Sequence, residues 1–362
     1  MKHLMWAILF GIVLLAPLAW ADATHVAAGP VSGEWTEKDS PYVIEGDVVV
    51  PEGQTLTIKP NVNVYFTGHY KFTVNGTLIA VAEDHSLIRL KQRKESAISI
   101  RFTADTSANP AGWGGIRFVN ASSDCRMNNC VIENGHASGE GADALGGGIY
   151  CENSSPRLES CVVRHNTADG SGGGLASVNS SAEVVNCTFT ENSAGKMGGG
   201  VYISGGTMDL ANISITHNTG GGLACENVKS VDLANSEVSE NKGQSQGGGI
   251  FVSGSTLDLA NASINKNENG GVALLNGSNV SMANCSISRN RGSERGGGIF
   301  CNGSTLDIAN ASVSDNLSGG LFCTERSAVS LVNCSLSGNH GGKGLEHDDG
   351  TTVSSVNTSV HD

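Results

Sequence analysis

A carboxylate recurs at one place in this sequence. Glu183, Asp209, Asp232 and Asp258 each stand three residues before an asparagine, at 186, 212, 235 and 261, and Asp307 resumes the pattern after Ser281 interrupts it. If each spacing is one turn of a stacked structure, the four acids lie about 5 Å apart on consecutive coils. Like charges that close repel, so the file is either a solvated surface or is neutralised by a cation. Calcium is the cation that oxygen ligands usually take, which makes these four residues the candidate metal site. No Arg or Lys occupies the file between 183 and 307.

A second file is aromatic. The residue after a recurrent glycine-aliphatic step runs Tyr150, Ala176, Tyr202, Ala224, Phe251, Ala273, Phe300, Phe322. Rings on alternate coils, about 10 Å apart with alanine between, would make a strip on which sugar rings stack. Tyr150, Tyr202, Phe251, Phe300 and Phe322 are therefore the candidate glycan-binding residues. The competing explanation is packing, because long segments (SAGKM, KGQSQ, RGSER) precede Tyr202, Phe251 and Phe300 while short ones precede Ala224 and Ala273. Ala176 after a long segment and Phe322 after a short one weaken that correlation.

Two further stretches carry chemistry-bearing residues. RLKQRKESAISIR (89–101) is the one basic cluster, either a polyanion contact or a solvated loop. HDDG (347–350), with His340 nearby, holds the residue types of acid and base catalysis but sits past the last regular repeat. The pairs His165-Asn166 and His217-Asn218 read as part of a surface charge ladder.

The elements that must position these residues follow from periodicity. Asparagines at 192, 241, 290 and 339 are 49 residues apart, and Asn218, Asn267 and Asn316 keep the same step. Interleaved, the gaps alternate between 26 and 23, so the unit is one turn of about 24 residues. Apolar residues alternate with polar ones, as in STLDLANASINKN, and nothing repeats at helical spacing. Three short strands per turn, each aligned with its counterpart one turn on, make a solenoid with parallel sheets. The aliphatics after the glycines (Ile149, Leu175, Val201, Leu223, Ile250, Val272, Ile299, Leu321) are expected to stack as one interior file, with the asparagines at turns bonding to one another.

GGGI, GGGV and GGGL, followed by tetrapeptides such as FTEN (189–192) and ISRN (287–290), resemble the repeats of right-handed parallel β-helix proteins of the pectin-lyase-like superfamily. They are also similar to the repeats of polymorphic outer-membrane proteins. GDVVVPEGQTLTIKPNVNVYFTG, NGTLIA and GWGGIRF resemble opening coils of that class, and the resemblance spans roughly 44–345. It implies an all-β, right-handed parallel β-helix of about a dozen coils. That fold hosts lyases, hydrolases, adhesins and inert spacers alike. Pectate-lyase-like members hold calcium on an acidic cluster against an anionic sugar, but they need a basic residue beside the metal. Polygalacturonase-like members carry Asp pairs, a histidine and an R-x-K element, and R-x-K is missing here.

The expected organisation is a secretory leader at 1–21, a cap and opening coils at 22–119, the regular solenoid at 120–345, and a closing segment at 346–362. The leader has a charged start, an apolar core and small residues near Ala21. No later apolar run is long enough to span a membrane, so no membrane insertion is expected after cleavage. The net charge of -13 argues against a nucleic-acid partner, and 49 glycines with only 5% aromatics suit thin coils over a thick core. Ten cysteines in an exported chain would suggest disulfides. However, Cys161, Cys187, Cys285 and Cys334 share one repeat position, and Cys151, Cys225, Cys301 and Cys323 share another that aliphatics fill elsewhere. Free buried thiols are the expectation.

The function expected from sequence is a non-catalytic binding or structural role, either a secreted or surface-exposed wall that faces a glycan or a partner or a pure structural spacer, with no cofactor unless calcium binds. The alternative is a calcium-dependent polysaccharide lyase or glycoside hydrolase. An enzyme usually breaks its repeat at the active site, and between 192 and 339 this chain does not. Its one long insertion, GHASGEGADAL (135–145), offers His136, Glu140 and Asp143 and is where activity would be sought.

Overall fold

A computed structural model describes residues 23–82, 99–106, 109–293 and 295–361. The leader expected at 1–21 and most of the basic stretch, 89–98, lie outside the described residues. Strands stack from Thr24 to Val360 into three long parallel sheets of 14, 13 and 13 strands, the count expected of about a dozen coils, with a short parallel sheet of His136–Ala137, Thr167–Ala168 and Ser193–Ala194 beside them. Each coil visits the long sheets in the same order. Sheet 1 includes Ser263–Asn265, sheet 2 Val272–Leu275 and sheet 3 Asn279–Ala283. The segment after residue 345 adds another coil through Leu345–His347, Thr352–Val356 and Ser359–Val360. Among the described residues no helix is long and apolar enough to cross a membrane.

The core is a column of interior files. The aliphatics from Ile149 to Leu321 pair in register along sheet 2 and are at most 1% exposed. Ile215, Val238, Ile264 and Ile287 pair likewise on sheet 1, and Leu210, Leu233 and Leu259 on sheet 3, all at most 2% exposed. Burying each such side chain contributes ~1.5–3 kcal/mol, and the contribution depends on the coil beneath being in register.

Register is fixed by a buried amide ladder at the turn between sheets 1 and 2. Asn166, Asn192, Asn218, Asn241, Asn267, Asn290, Asn316 and Asn339 are each at most 4% exposed. Asn241 Nδ2 donates to Asn267 Oδ1 at 3.1 Å, and Asn267 Nδ2 to Asn290 Oδ1 at 3.0 Å. The same oxygens accept the backbone N–H of the preceding rung, Asn241 N to Asn267 Oδ1 at 3.0 Å. The other amide hydrogen goes to a sheet 1 carbonyl, Val238 O for Asn267 at 2.9 Å. One residue type thus satisfies three kinds of buried polar group per coil.

The glycine triplets follow from this ladder. A Cβ on Gly249 would lie 2.5 Å from the Gly271 carbonyl oxygen and 2.8 Å from Asn267 Nδ2, too close for any side chain. All ten cysteines are buried free thiols that stand in or beside the interior files. Cys301 pairs in register with Cys323, and the Cys161 amide points at Cys187 Sγ at 3.4 Å.

Candidate functional site

Sheet 3 carries the acidic file as expected. Glu183 pairs with Asp209, Asp209 with Asp232, Asp232 with Asp258, then Ser281 and Asp307 follow. The three aspartates from 209 to 258 are exposed. They project in parallel from a flat strand surface rather than converging, and no group of three or more His, Cys, Asp or Glu among the described residues could hold a metal ion. Glu183 is instead taken by the Arg157 guanidinium, its register partner one coil earlier. A cage for calcium would need ligands from a second element facing the file.

Sheet 2 carries the aromatic file, also in register: Tyr150, Ala176, Tyr202, Ala224, Phe251, Ala273, Phe300, Phe322. Tyr150 departs from expectation. It is only 2% exposed, because the Arg117 guanidinium lies over its ring at 4.2 Å and the insertion lies over the arginine. Arg117 donates to the Ala142 carbonyl at 2.5 Å and to Leu145 O at 3.2 Å. Tyr150 therefore anchors the insertion and offers no face to a sugar.

Tyr202, Phe251, Phe300 and Phe322 are partly exposed, while the outward alanines 176, 224 and 273 are at most 1% exposed. Glycine turns close over two of these alanines, for a Cβ on Gly172 would lie 2.6 Å from the Ala176 Cβ and one on Gly247 would lie 2.8 Å from the Ala273 Cβ. Tyr202 shows the direction of lean, for its hydroxyl donates to Glu226 Oε2 at 2.7 Å in the next coil. Burial, and then this carboxylate, push the Tyr202 phenol up to about 12. Packing thus explains part of the alternation, but not the space left over Ala224. There a cavity of about 420 Å³ opens between the Gly195–Gly198 and Gly243–Gly247 segments, with Lys196, Met197 and Gln244 in its walls and Phe251 at its side. Gln244 Nε2 donates to Gly195 O at 2.9 Å and holds the two walls together. Downstream, Phe300 and Phe322 sit 5.9 Å apart, and Arg295 lies over Phe322 at 5.4 Å while pairing with Glu346 at 2.8 Å.

Charge on this face is sparse. Along sheet 2 the second outward file reads Glu152, Val178, Ser204, Glu226, Ser253, Leu275, then Asn302 and Thr324. Among the described residues, Arg117 is the sole Lys or Arg in either outward file of sheet 2, and it is buried.

The insertion gathers residues that sequence reasoning did not connect. His136 Nε2 meets Asp169 Oδ1 at 3.0 Å, and its Nδ1 faces the Ala111 carbonyl at 3.2 Å. His69 Nε2 lies 3.2 Å from Ser138 Oγ, with its ring 6.0 Å from that of His136. Lys71 Nζ donates to Asp143 Oδ1 at 2.8 Å. Hydrogen bonds from Lys71 and from His136 hold Asp143 and Asp169 below the usual carboxylate range. Glu140 is exposed and takes no part in these contacts. His69 and Lys71 lie two coils before the insertion and Asp169 one coil after it, which is why motif reading passed over them.

Three other features resolve into structure. In HDDG, Asp348 accepts from Thr324 Oγ1 at 2.7 Å, Glu325 N at 2.9 Å and Thr351 Oγ1 at 2.7 Å, so it staples the last coil and its carboxyl falls far below the ordinary range. His165 pairs with Glu191 at 3.0 Å and His217 with Glu240 at 2.8 Å, the surface ladder expected. Of the basic stretch, Arg101 is described, and it shares the buried Glu133 carboxylate with Arg164. Sheet 1 also presents a hydroxyl face, Ser286, Ser312 and Ser335 beside Ser288, Ser314 and Ser337, which the polar half of the alternation had signalled.

The three-sheet coil and its asparagine turn are matched by the family model for the right-handed β-helix region over residues 48–195 and 199–360. The chain belongs to this family. Among solved structures it is similar to the periplasmic alginate epimerase AlgG, at 13% identity and a TM-score of 0.61, covering 90% of this chain and 84% of that one. A mutant of the same epimerase matches at 13% identity and a TM-score of 0.63, covering 91% and 84%. At such identity the likeness is one of fold. No curated protein matches the sequence.

Proposed function

We propose that this right-handed β-helix protein is a secreted or periplasmic polysaccharide-binding wall that works without catalysis, and that its contact face is the ring-bearing side of sheet 2. The observation that carries the reading is the cavity of about 420 Å³ over Ala224, flanked by Phe251 and walled by two long loops. A sugar ring has an apolar face that stacks on an aromatic and a hydroxyl rim that bonds to groups such as Gln244 and Lys196. The polysaccharide named for the similar epimerase adds support at the level of ligand class.

The enzymatic reading has one observation in its favour, the His69, His136, Ser138 and Asp169 cluster at the insertion. Polysaccharide cleavage uses an acid and a base that flank the scissile bond and each reach the substrate, and the histidines and the carboxylate gathered at this loop are groups of those types. Binding and cleavage are separated by incubating the mature protein with insoluble and soluble polysaccharides, with calcium and then with chelator. Retention on a polymer with no product supports the wall. Calcium-dependent release of product overturns it, and His136→Ala and Asp232→Ala then decide which group acts.

A further inference from the structure

The spacing of the rings and the charge around them restrict the ligand further than polysaccharide. Tyr202, Phe251 and Phe300 occupy equivalent positions on alternate coils, with Ala224 and Ala273 in register between them. Successive rings are therefore two coil heights apart, about 10 Å along the axis. The row is bounded at both ends. Upstream, Tyr150 is sealed beneath Arg117 and the insertion. Downstream, Phe322 breaks the alternation and is covered by Arg295, itself paired with Glu346.

A linear chain that lies along this row must present an equivalent face once per two coils. An extended, diequatorially linked pyranose chain does so, because alternate sugars are flipped and each advances by about 5 Å, close to the coil height set by the strand spacing. Helical or kinked glycans lose the register after one ring. The charge pattern then excludes a polyanion. A uronic acid chain would bring a carboxylate to each coil, and the outward files of sheet 2 hold Glu152, Glu226 and Glu346 against one buried guanidinium, while of the cations beside the rings Lys196 lies in a cavity wall and Arg295 is already paired with Glu346. Without a row of cations, each added carboxylate meets net repulsion.

We infer that the sheet 2 face binds an uncharged, extended, diequatorially linked glycan laid parallel to the solenoid axis, with every second sugar on Tyr202, Phe251 or Phe300. This inference rests on the glycan-binding reading above and goes beyond it in naming the class, direction and register of the ligand. Three rings on alternate coils span about five sugars.

The test is calorimetric titration of the mature protein with cello-, manno- and N-acetylglucosamine oligomers of increasing length, and with alginate oligomers as the charged counterpart. Affinity for at least one uncharged series is expected to rise in steps as the oligomer reaches a second and then a third ring. Phe251→Ala is expected to lower affinity for the longest oligomer tenfold or more and to flatten the steps. Phe300→Ala removes the last step and leaves the first, which guards against a folding defect at 251, and Ser288→Ala on sheet 1 changes nothing. Equal affinity for short and long oligomers overturns the axial register while leaving a local sugar site over Ala224. Preference for alginate overturns the uncharged class. Failure of every glycan to bind overturns both this inference and the binding reading it rests on.

Discussion

Replacing Asn267 by alanine removes one rung of the buried ladder, and the cost can be worked from its partners. The side chain donates to Val238 O and Asn290 Oδ1 and accepts from Asn241 N and Asn241 Nδ2. Asn290 Oδ1 keeps the Asn267 backbone N–H as a partner at 3.0 Å. Two Asn241 donors are left without an acceptor in a site that is 0% exposed. An orphaned buried donor costs ~1–3 kcal/mol, so Asn267→Ala is expected to cost about 4 kcal/mol. Asn261 is the control, a turn asparagine that also bonds to its neighbours, Asn235 at 2.9 Å and Asn284 at 3.2 Å, but in the solvent. Its φ of 54° suits glycine, so Asn261→Gly should cost below ~1 kcal/mol. Urea unfolding followed by circular dichroism measures both. Because coils couple to their nearest neighbours, the Asn267 variant should also broaden the transition as the halves on either side of the gap separate. Equal losses for the two variants, or a loss below ~1 kcal/mol at 267, would refute the reasoning that burial gives the ladder its worth.

Four other outcomes are expected. The Ser177 hydroxyl is buried without a partner in an interior file where Ile203 stands one coil on, so Ser177→Ala should stabilise by ~1 kcal/mol in the same assay. The phenols of Tyr150 and Tyr202 are pushed up to about 12, chiefly by burial, against an ordinary value near 10. Their protonated forms are the ones the fold favours, so this stability is complete below pH ~10 and drains away as pH rises toward 12, which tyrosinate absorbance and unfolding measured together will follow. The ten buried thiols should resist a thiol reagent in the native protein and react fully in denaturant, Cys225 being pushed up to about 12 by burial. Arg117→Met should free the insertion, seen as faster limited proteolysis between residues 138 and 145 with the solenoid intact.

Much of the fold was legible in the chain. The 49-residue step between asparagines fixed the coil length, and the polar-apolar alternation in STLDLANASINKN fixed which residues face inward, because a strand has period two and a stacked coil must repeat it. The interior file from Ile149 to Leu321, the acidic file and the aromatic file were all found in the register that simple counting predicts. Even the cysteines declared themselves, since only a buried apolar position exchanges cysteine for isoleucine from one coil to the next.

What counting residues left open was decided by groups from different coils meeting in space. Tyr150 looked like Tyr202 along the chain, yet Arg117 one coil before it and the insertion that leads into its own strand close over the ring. The four acids looked like a cluster, yet a flat strand keeps carboxylates parallel and Arg157 takes the first of them. Gln244 seals the cavity wall by reaching Gly195, and His136 finds Asp169 across 33 residues. The sequence alone determined the coil, because every coil obeys the same local rule. Only the tertiary structure decided the site, because a site is made where loops of unequal length depart from that rule and lean on their neighbours.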